Sequence, residues 1–132
     1  MFYSAPMTFD NISALFINCT LKKSPELSHT QGLIDLSSRV MNSQGAKTET
    51  VRAVDLVLPP GVDADMTEKG YDQDDWPELW QKVQKADILV MASPIWLGEV
   101  SSVARMVAER LYAMSGMVNE RGQYSFYGKV AG

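Results

Sequence analysis

The sequence is poor in the residues that build disulfide frameworks and metal sites. Among its 132 residues there is one cysteine, Cys19, and one histidine, His29. A single cysteine excludes an internal disulfide and a multi-cysteine metal site. No apolar run approaches membrane-spanning length, and the start, "MFYSAPMTFDNIS", lacks the basic segment and apolar core of a secretory signal. These absences predict a cytoplasmic protein with no membrane partner.

Basic residues are also scarce. Twelve Lys and Arg face sixteen Asp and Glu, giving a net charge of -4. A nucleic-acid footprint needs a basic face, so no nucleic-acid partner is expected. A hydrophobic share of 45% is ordinary for one globular domain, here residues 1–132. We expect an N-terminal arm at 1–11 and an acidic insertion at 59–73 with the character of a solvated loop.

What the chain does contain is an alternation of strand and helix patterns. Apolar, β-branched runs predict strands at 12–18, 47–58 and 87–92. Helical spacing with capping residues predicts helices from 28 or 30 to 44, from 74 or 75 to 85, and from 101 or 102 to 111. This order predicts an α/β fold, a flavodoxin-like doubly wound parallel sheet. The final "KVAG" resembles the opening of a fourth strand, and we expect the 132 residues to be the front part of a longer domain.

The loop after the first predicted strand suits an anion. In open parallel sheets, ligands bind beyond the carboxyl ends of the strands. No glycine lies between Asn18 and Gln31, which excludes the dinucleotide and P-loop glycine motifs. Hydroxyl and ammonium groups are nevertheless abundant, and the helix start adds free N–H groups. The residues concerned are Thr20, Lys22, Lys23, Ser24, Ser28 and Thr30. A hydroxyl-rich helix cap without a ligand is an equally open interpretation.

Cys19 lies where low-molecular-weight phosphatases place a nucleophile. Those enzymes need an arginine six positions later, and this chain has Pro25 there. Cys19 is therefore predicted to be a small loop residue. A response-regulator function is excluded because the third strand ends in "MAS", without a phospho-accepting aspartate.

The loop after the third predicted strand, "ASPIWLGEVSS", suits a planar ring. Pro94 fixes the chain direction, and Ile95, Trp96 and Leu97 offer a flat apolar wall. Gly98 would let backbone N–H groups approach a ligand closely. Trp96 as a core or interface aromatic is the competing interpretation. An anion site and a ring site on neighbouring loops together describe a mononucleotide.

The segments "NCTLKKSPELSHT" and "ASPIWLGEVSS" resemble those of the NAD(P)H-dependent FMN reductases of the flavodoxin superfamily, and the resemblance runs from about 14 to 111. It implies an FMN cofactor, NAD(P)H as electron donor, a small-molecule acceptor such as a quinone or free flavin, and a homodimer. It assigns the FMN phosphate to Thr20, Lys22, Ser28 and Thr30. It assigns the flavin ring to Pro94, Ile95, Trp96, Leu97 and Gly98.

Two departures accompany this resemblance. The family's flavin-contacting loop after strand four would lie beyond Gly132, and the cysteine cluster of its iron–sulfur branch is missing. Two alternatives remain open: a flavodoxin-type electron carrier, which usually carries a T/S-x-T-G-x-T first loop that this chain lacks, and an incomplete domain without a bound cofactor.

Overall fold

A four-stranded parallel sheet organises the chain. The structure is a computed structural model, and it describes residues 7–132. The sheet strands are β1 (Ser13–Asn18), β2 (Lys47–Arg52), β3 (Ile88–Ala92) and β6 (Val130–Ala131), and a separate hairpin contains β4 (Ile95–Trp96) and β5 (Glu99–Val100). The helices are α1 (His29–Ser43), α2 (Trp76–Lys85) and α3 (Ser102–Ala113). Residues 1–6 of the predicted N-terminal arm lie outside the described residues.

The strand order of the sheet is β2-β1-β3-β6. β1 pairs in parallel with β2 and with β3, with Asn18 beside Arg52 on one side and beside Ala92 on the other. The carboxyl ends of the three strands therefore share one edge of the sheet. This order is the doubly wound arrangement that the strand and helix patterns predict.

Helices cover the two faces of the sheet unequally. Alternate residues of β1 point to opposite faces, so Ala14 and Phe16 pack with Ile34 of α1, whereas Leu15 and Ile17 face α2 and α3. The larger core lies on the α2 and α3 side. On the other side, α1 buries only Ile34.

The predicted second strand is too long. β2 ends at Arg52, and Ala53–Asp55 form a 3₁₀ turn. Ala53 and Leu58 are buried, so the apolar run continues into the core from an irregular segment rather than along a strand. The sequence pattern does not separate these two cases, because both bury the same residue types.

The acidic segment that follows is held to the core at defined points. Met66 is buried, and residues Met66–Lys69 form a 3₁₀ turn that Asp65 caps. Arg110 of α3 donates to the carbonyl oxygens of Pro59, at 2.9 Å, and of Ala64, at 3.4 Å. The segment is thus attached to α3 through its backbone, which a charge count alone does not indicate.

Candidate functional site

The two predicted ligand loops meet at the carboxyl edge of the sheet. Cys19, the first residue after β1, donates its N–H to the carbonyl of Ala92 at the end of β3, at 2.8 Å. Ser101, which precedes α3, donates its hydroxyl to the carbonyl of Cys19 at 2.7 Å. We call this edge, with residues 19–30 and 93–101, the rim. The structure therefore brings the two sequence-predicted loops together.

At the rim, Ser28 is the N-cap of α1 and is buried, and its hydroxyl oxygen accepts the N–H of Gln31 at 3.2 Å. The N–H groups of His29 and Thr30 belong to the first helical turn, which has no intrahelical acceptors for them. Thr20 is buried and Thr30 is half-buried. The helix start thus offers N–H donors and a partial positive charge, with hydroxyl groups beside them.

Lys22, a predicted phosphate ligand in the first loop, is bonded to other residues of the same loop. Its ammonium group donates to the carbonyl of Leu27 at 3.2 Å and lies 3.7 Å from the carboxylate of Glu26. Both members of this ion pair are about half exposed or more, so the pair contributes little to stability. A phosphate would have to compete with Glu26 for this ammonium group.

Asn18 and Gln31 join the start of the first loop to α1, and sequence reasoning did not select either residue. The Asn18 amide is fully buried; its oxygen accepts the N–H of Thr20 at 3.0 Å, and its nitrogen donates to the Gln31 side chain at 2.9 Å. The available signal was a polar residue at the end of an otherwise apolar strand.

Arg52 and Asp55 hold the first loop from the side of β2, and they too were missed. One guanidinium nitrogen of Arg52 donates to the carbonyls of Lys22, at 3.2 Å, and Glu26, at 2.9 Å. The carboxylate of Asp55 accepts the N–H of Ser24 at 2.9 Å and its hydroxyl at 2.6 Å. No sequence signal pairs residues this far apart in the chain.

Cys19 is an inert thiol in this arrangement. It is fully buried, and burial raises the pKa of Cys19 to about 12. A thiol with such a pKa stays protonated at neutral pH and is a poor nucleophile. The structure thus agrees with the prediction of a small loop residue and provides no basis for phosphatase chemistry.

The second loop, predicted to be a flat apolar wall, is a tight two-stranded hairpin. β4 and β5 pair Ile95 with Val100 and Trp96 with Glu99, and the turn residues Leu97 and Gly98 have φ angles of 53° and 78°. Positive φ at both turn positions is the geometry of a two-residue hairpin, which glycine adopts without strain.

Apolar side chains of this hairpin are open to solvent. Trp96 is 56% exposed, Ile95 77% and Leu97 fully exposed. Trp96 is therefore not a core residue of this chain, and the interface part of the competing interpretation stays open. Pro94 is half-buried at the base of the hairpin. The hairpin stem is fixed by Ser93, whose hydroxyl oxygen accepts the N–H of Ser101 at 2.9 Å.

Two features are absent from the residues that the structure describes. In the part of the chain that the structure describes, no group of three or more His, Cys, Asp or Glu could hold a metal ion. Among residues 7–132 no helix is both long and apolar enough to cross a membrane.

The chemistry of the rim fits FMN. The N–H groups of the α1 start and the hydroxyls of Thr20, Ser28 and Thr30 are donors suited to a phosphate. The exposed apolar hairpin is suited to the face of a heterocycle. A Cβ atom placed on Gly98 meets nothing within 4 Å, so space beside the turn is open.

Comparison with known proteins gives the family. The family model described as NADPH-dependent FMN reductase matches residues 12–132. The chain is 38% identical to 8-demethyl-8-aminoriboflavin-5'-phosphate synthase of Streptomyces davaonensis over 126 residues, which are 92% of this chain and 49% of the synthase. It is 54% identical to the divalent metal cation transporter MntH of Mycobacterium bovis over 129 residues, which are 98% of this chain and 19% of the transporter.

A crystal structure of RosB with the bound intermediate 8-demethyl-8-formylriboflavin-5'-phosphate has the same architecture. The TM-score is 0.81 at 39% identity, over 92% of this chain and 50% of the RosB chain. The chain thus spans about half the length of the synthase and a smaller part of the transporter. From the family match over nearly all of its residues, the chain belongs to the NADPH-dependent FMN reductase family.

Proposed function

We propose that the rim binds FMN and that the protein is an NAD(P)H-dependent flavin oxidoreductase with a small-molecule electron acceptor. The observation that carries this proposal is the meeting of a helix N-terminus and an exposed apolar hairpin at one sheet edge, joined by the Ser101–Cys19 hydrogen bond. When bound, FMN would supply the chemistry, accepting a hydride from the nicotinamide and passing two electrons to the acceptor.

The residues of the chain would bind and orient the flavin. The first-turn N–H groups of α1 and the hydroxyls of Thr20, Ser28 and Thr30 would hold the phosphate. The hairpin would present Ile95, Trp96 and Leu97 to the ring, and its backbone N–H groups at the turn would donate to polar ring atoms. No side chain at the rim is assigned a proton-transfer role.

A second candidate function treats the same flavin as substrate. The synthase, at 38% identity, is named for a riboflavin 5'-phosphate changed at ring position 8, and the crystal structure of RosB, at 39% identity, contains another as a bound intermediate. A rim that holds the phosphate and leaves part of the ring accessible would serve this chemistry as well as reduction.

We also infer a homodimer, as the resemblance implies. Its support in the structure is an apolar stripe on α1, the helix that begins at the rim. Leu33, Leu36 and Val40 are 69%, 52% and 58% exposed, although their helical spacing is typical of a buried face.

The test of FMN binding uses the N-cap residue. Ser28→Asp keeps a capping oxygen but adds a negative charge beside the phosphate, whereas Ser28→Asn keeps the cap without charge. Ser28→Asp should weaken FMN on the order of 100-fold relative to Ser28→Asn, because like charges a few Å apart repel strongly. Binding is measured by flavin fluorescence quenching.

Riboflavin, which lacks the phosphate, is the control ligand. It should bind both variants with similar affinity. An equal loss of FMN and riboflavin in Ser28→Asp would contradict the phosphate assignment, and a wild-type chain that binds no flavin would contradict the function itself.

Two further measurements separate the functions. Bleaching of the flavin colour by NADPH without air indicates the reductase, and its absence leaves the electron carrier or the second candidate. Mass spectrometry of the flavin after aerobic incubation with the protein and an amine donor distinguishes these, because replacement of the ring-8 methyl group by an amino group, with oxygen as the oxidant, changes the flavin's mass and electron transfer leaves the reoxidised flavin unchanged.

A further inference from the structure

The first loop is held in shape by two residues that do not belong to it. Arg52, the last residue of β2, donates to the carbonyls of Lys22 and Glu26, and Asp55, in the following 3₁₀ turn, accepts both polar hydrogens of Ser24. We call these four contacts the Arg52–Asp55 clamp. The clamp grips the middle of the loop, whereas Asn18, Thr20 and Ser28 fix only its two ends.

The bonds of the clamp are charge-assisted. A guanidinium group binds two neutral carbonyls, and a carboxylate accepts an N–H and an O–H, which are stronger contacts than those between neutral groups. Because Asp55 is exposed, solvent screening reduces this gain. The hydrogen bonds from Ser24, then the nearby charges of Arg52 and Lys23, hold the pKa of Asp55 below its usual value. Asp55 is therefore ionised at neutral pH and can accept both Ser24 hydrogen bonds without help from a ligand.

A loop of this kind needs external support to bind an anion well. Residues 21–27 are all exposed and form neither helix nor strand. Ordering such residues at the moment of binding costs conformational entropy, which lowers affinity. A loop ordered in advance avoids that cost.

We infer that Arg52 and Asp55 are positioning residues for the flavin phosphate, acting through the backbone of residues 22–26, which joins the phosphate donor Thr20 to those at the start of α1, rather than by touching the ligand. This inference rests on the proposed function, since it assigns the phosphate to the first loop. The clamp should matter for a phosphorylated flavin and not for the ring alone, because the ring is assigned to the hairpin.

The experiment compares three substitutions at the clamp. Asp55→Ala removes the acceptor for both Ser24 hydrogens and should weaken FMN about tenfold, the equivalent of one charge-assisted hydrogen bond. Asp55→Asn can accept the Ser24 N–H and donate to its hydroxyl oxygen, so it should restore affinity to within about twofold. Ser24→Ala keeps the N–H bond and should give an intermediate loss.

The matched control is Asp63→Ala, which removes another partly exposed carboxylate, the one paired with Lys69 outside the first loop. It should leave FMN affinity unchanged. Riboflavin should bind all four variants like the wild type. In the ligand-free protein, amide hydrogen exchange of residues 22–26 should be faster in Asp55→Ala and unchanged in Asp63→Ala.

Each other outcome overturns the inference. Unchanged FMN affinity in Asp55→Ala, or an equal loss of FMN and riboflavin, removes the positioning role while wild-type FMN binding still stands. No rescue by Asp55→Asn removes the hydrogen-bond account. A wild-type chain that binds no FMN removes the proposed function and this inference together, and that result is read from the wild type alone.

Discussion

At the scale of single residues, three polar side chains in the rim or next to it are already hydrogen-bonded within the chain. The hydroxyl of Ser28 caps α1, that of Ser101 bonds Cys19 and caps α3, and the amide of Asn18 fixes Thr20. The hydroxyl oxygens of Ser28 and Thr20 only accept hydrogen bonds, so their O–H hydrogens, with the backbone N–H groups at the start of α1, are left to donate to a ligand. Substitutions at the rim therefore test helix capping and ligand binding together, unless the variant preserves the cap.

Gly98 allows these two effects to be separated at the hairpin. Its φ of 78° strains any β-branched side chain, yet a Cβ there meets no atom within 4 Å. Asparagine tolerates positive φ, so Gly98→Asn should fold with a melting temperature close to that of the wild type. If the flavin ring lies beside the turn, the new side chain should keep the ring from packing closely against the backbone. The affinity for FMN should then fall about tenfold. Gly98→Val should abolish FMN binding.

Gly70→Asn is the control for this substitution. Gly70 also has a positive φ, 93°, and open space around its Cβ position, but it lies in the acidic segment and is not one of the rim residues. It should leave FMN affinity unchanged. Wild-type FMN affinity in Gly98→Asn would remove the hairpin turn from the site.

At the scale of elements, a buried ion pair ties the acidic segment to two helices. The side chains of Arg110 in α3 and Asp74, just before α2, are both fully buried and are joined at 2.6 Å. Asp74 also accepts the N–H groups of Met66 and Trp76 at 2.9 Å. The Arg110 guanidinium lies over the Trp76 ring, 5.3 Å from its centre. The acidic segment is thus bonded to the core at both of its ends, unlike a loop that moves freely as a lid.

The contribution of the Arg110–Asp74 ion pair to stability should depend on pH, and the substitution Asp74→Asn tests this. Burial opposes ionisation of Asp74, but the hydrogen bonds from Arg110, Met66 and Trp76 outweigh it, and the pKa of Asp74 is lowered from 3.8. A carboxyl group whose pKa is lower in the folded protein stabilises the fold at any pH above its pKa in the unfolded chain. That stability is lost as the pH falls through its pKa in the folded protein. At pH 7 the variant should be less stable by about 3 kcal/mol, since one partner of a buried pair is left uncompensated.

Urea unfolding between pH 7 and pH 2 measures this difference. The gap in unfolding free energy between wild type and Asp74→Asn should be constant above about pH 5 and shrink below the unfolded pKa. Replacing both partners, Asp74→Leu with Arg110→Met, should cost less than either change alone. A gap that does not depend on pH would contradict the ion-pair account.

Element positions were largely predictable from the sequence, and their ends less so. The helix starts were predicted to within one or two residues, because helix capping depends on neighbouring residues in the sequence. The residues that indicated them were Ser28, Ser101 and the proline at the start of α2. The predicted end of β2 was wrong. The apolar residues after Arg52 begin in a 3₁₀ turn rather than in a strand, and the sequence pattern is the same in both cases. The turn residues Leu97 and Gly98 form a hairpin that the apolar pattern alone does not reveal.

At the scale of the whole molecule, strand order and the meeting of two loops followed from the strand and helix alternation together with the rules of doubly wound sheets. The Arg52–Asp55 clamp and the Arg110–Asp74 pair did not. Each joins residues tens of positions apart, and a single sequence contains no signal that selects one distant partner among many. The contacts that shape the rim were therefore less predictable than the rim's location.

The unequal cover of the two sheet faces leads to a prediction about assembly. Leu36 of α1 is 52% exposed within an apolar stripe, and Val62 of the acidic segment is 53% exposed outside it. If α1 forms the interface of a homodimer, Leu36→Lys places a charge in that interface and should give a monomer in sedimentation velocity. Val62→Lys adds the same charge at equal exposure and should leave the dimer intact. An apolar stripe of this kind should associate when the apolar area that it buries outweighs the loss of rotational and translational freedom. A dimer that survives Leu36→Lys would therefore place the interface elsewhere. A wild-type protein that stays monomeric at high concentration would contradict the homodimer itself.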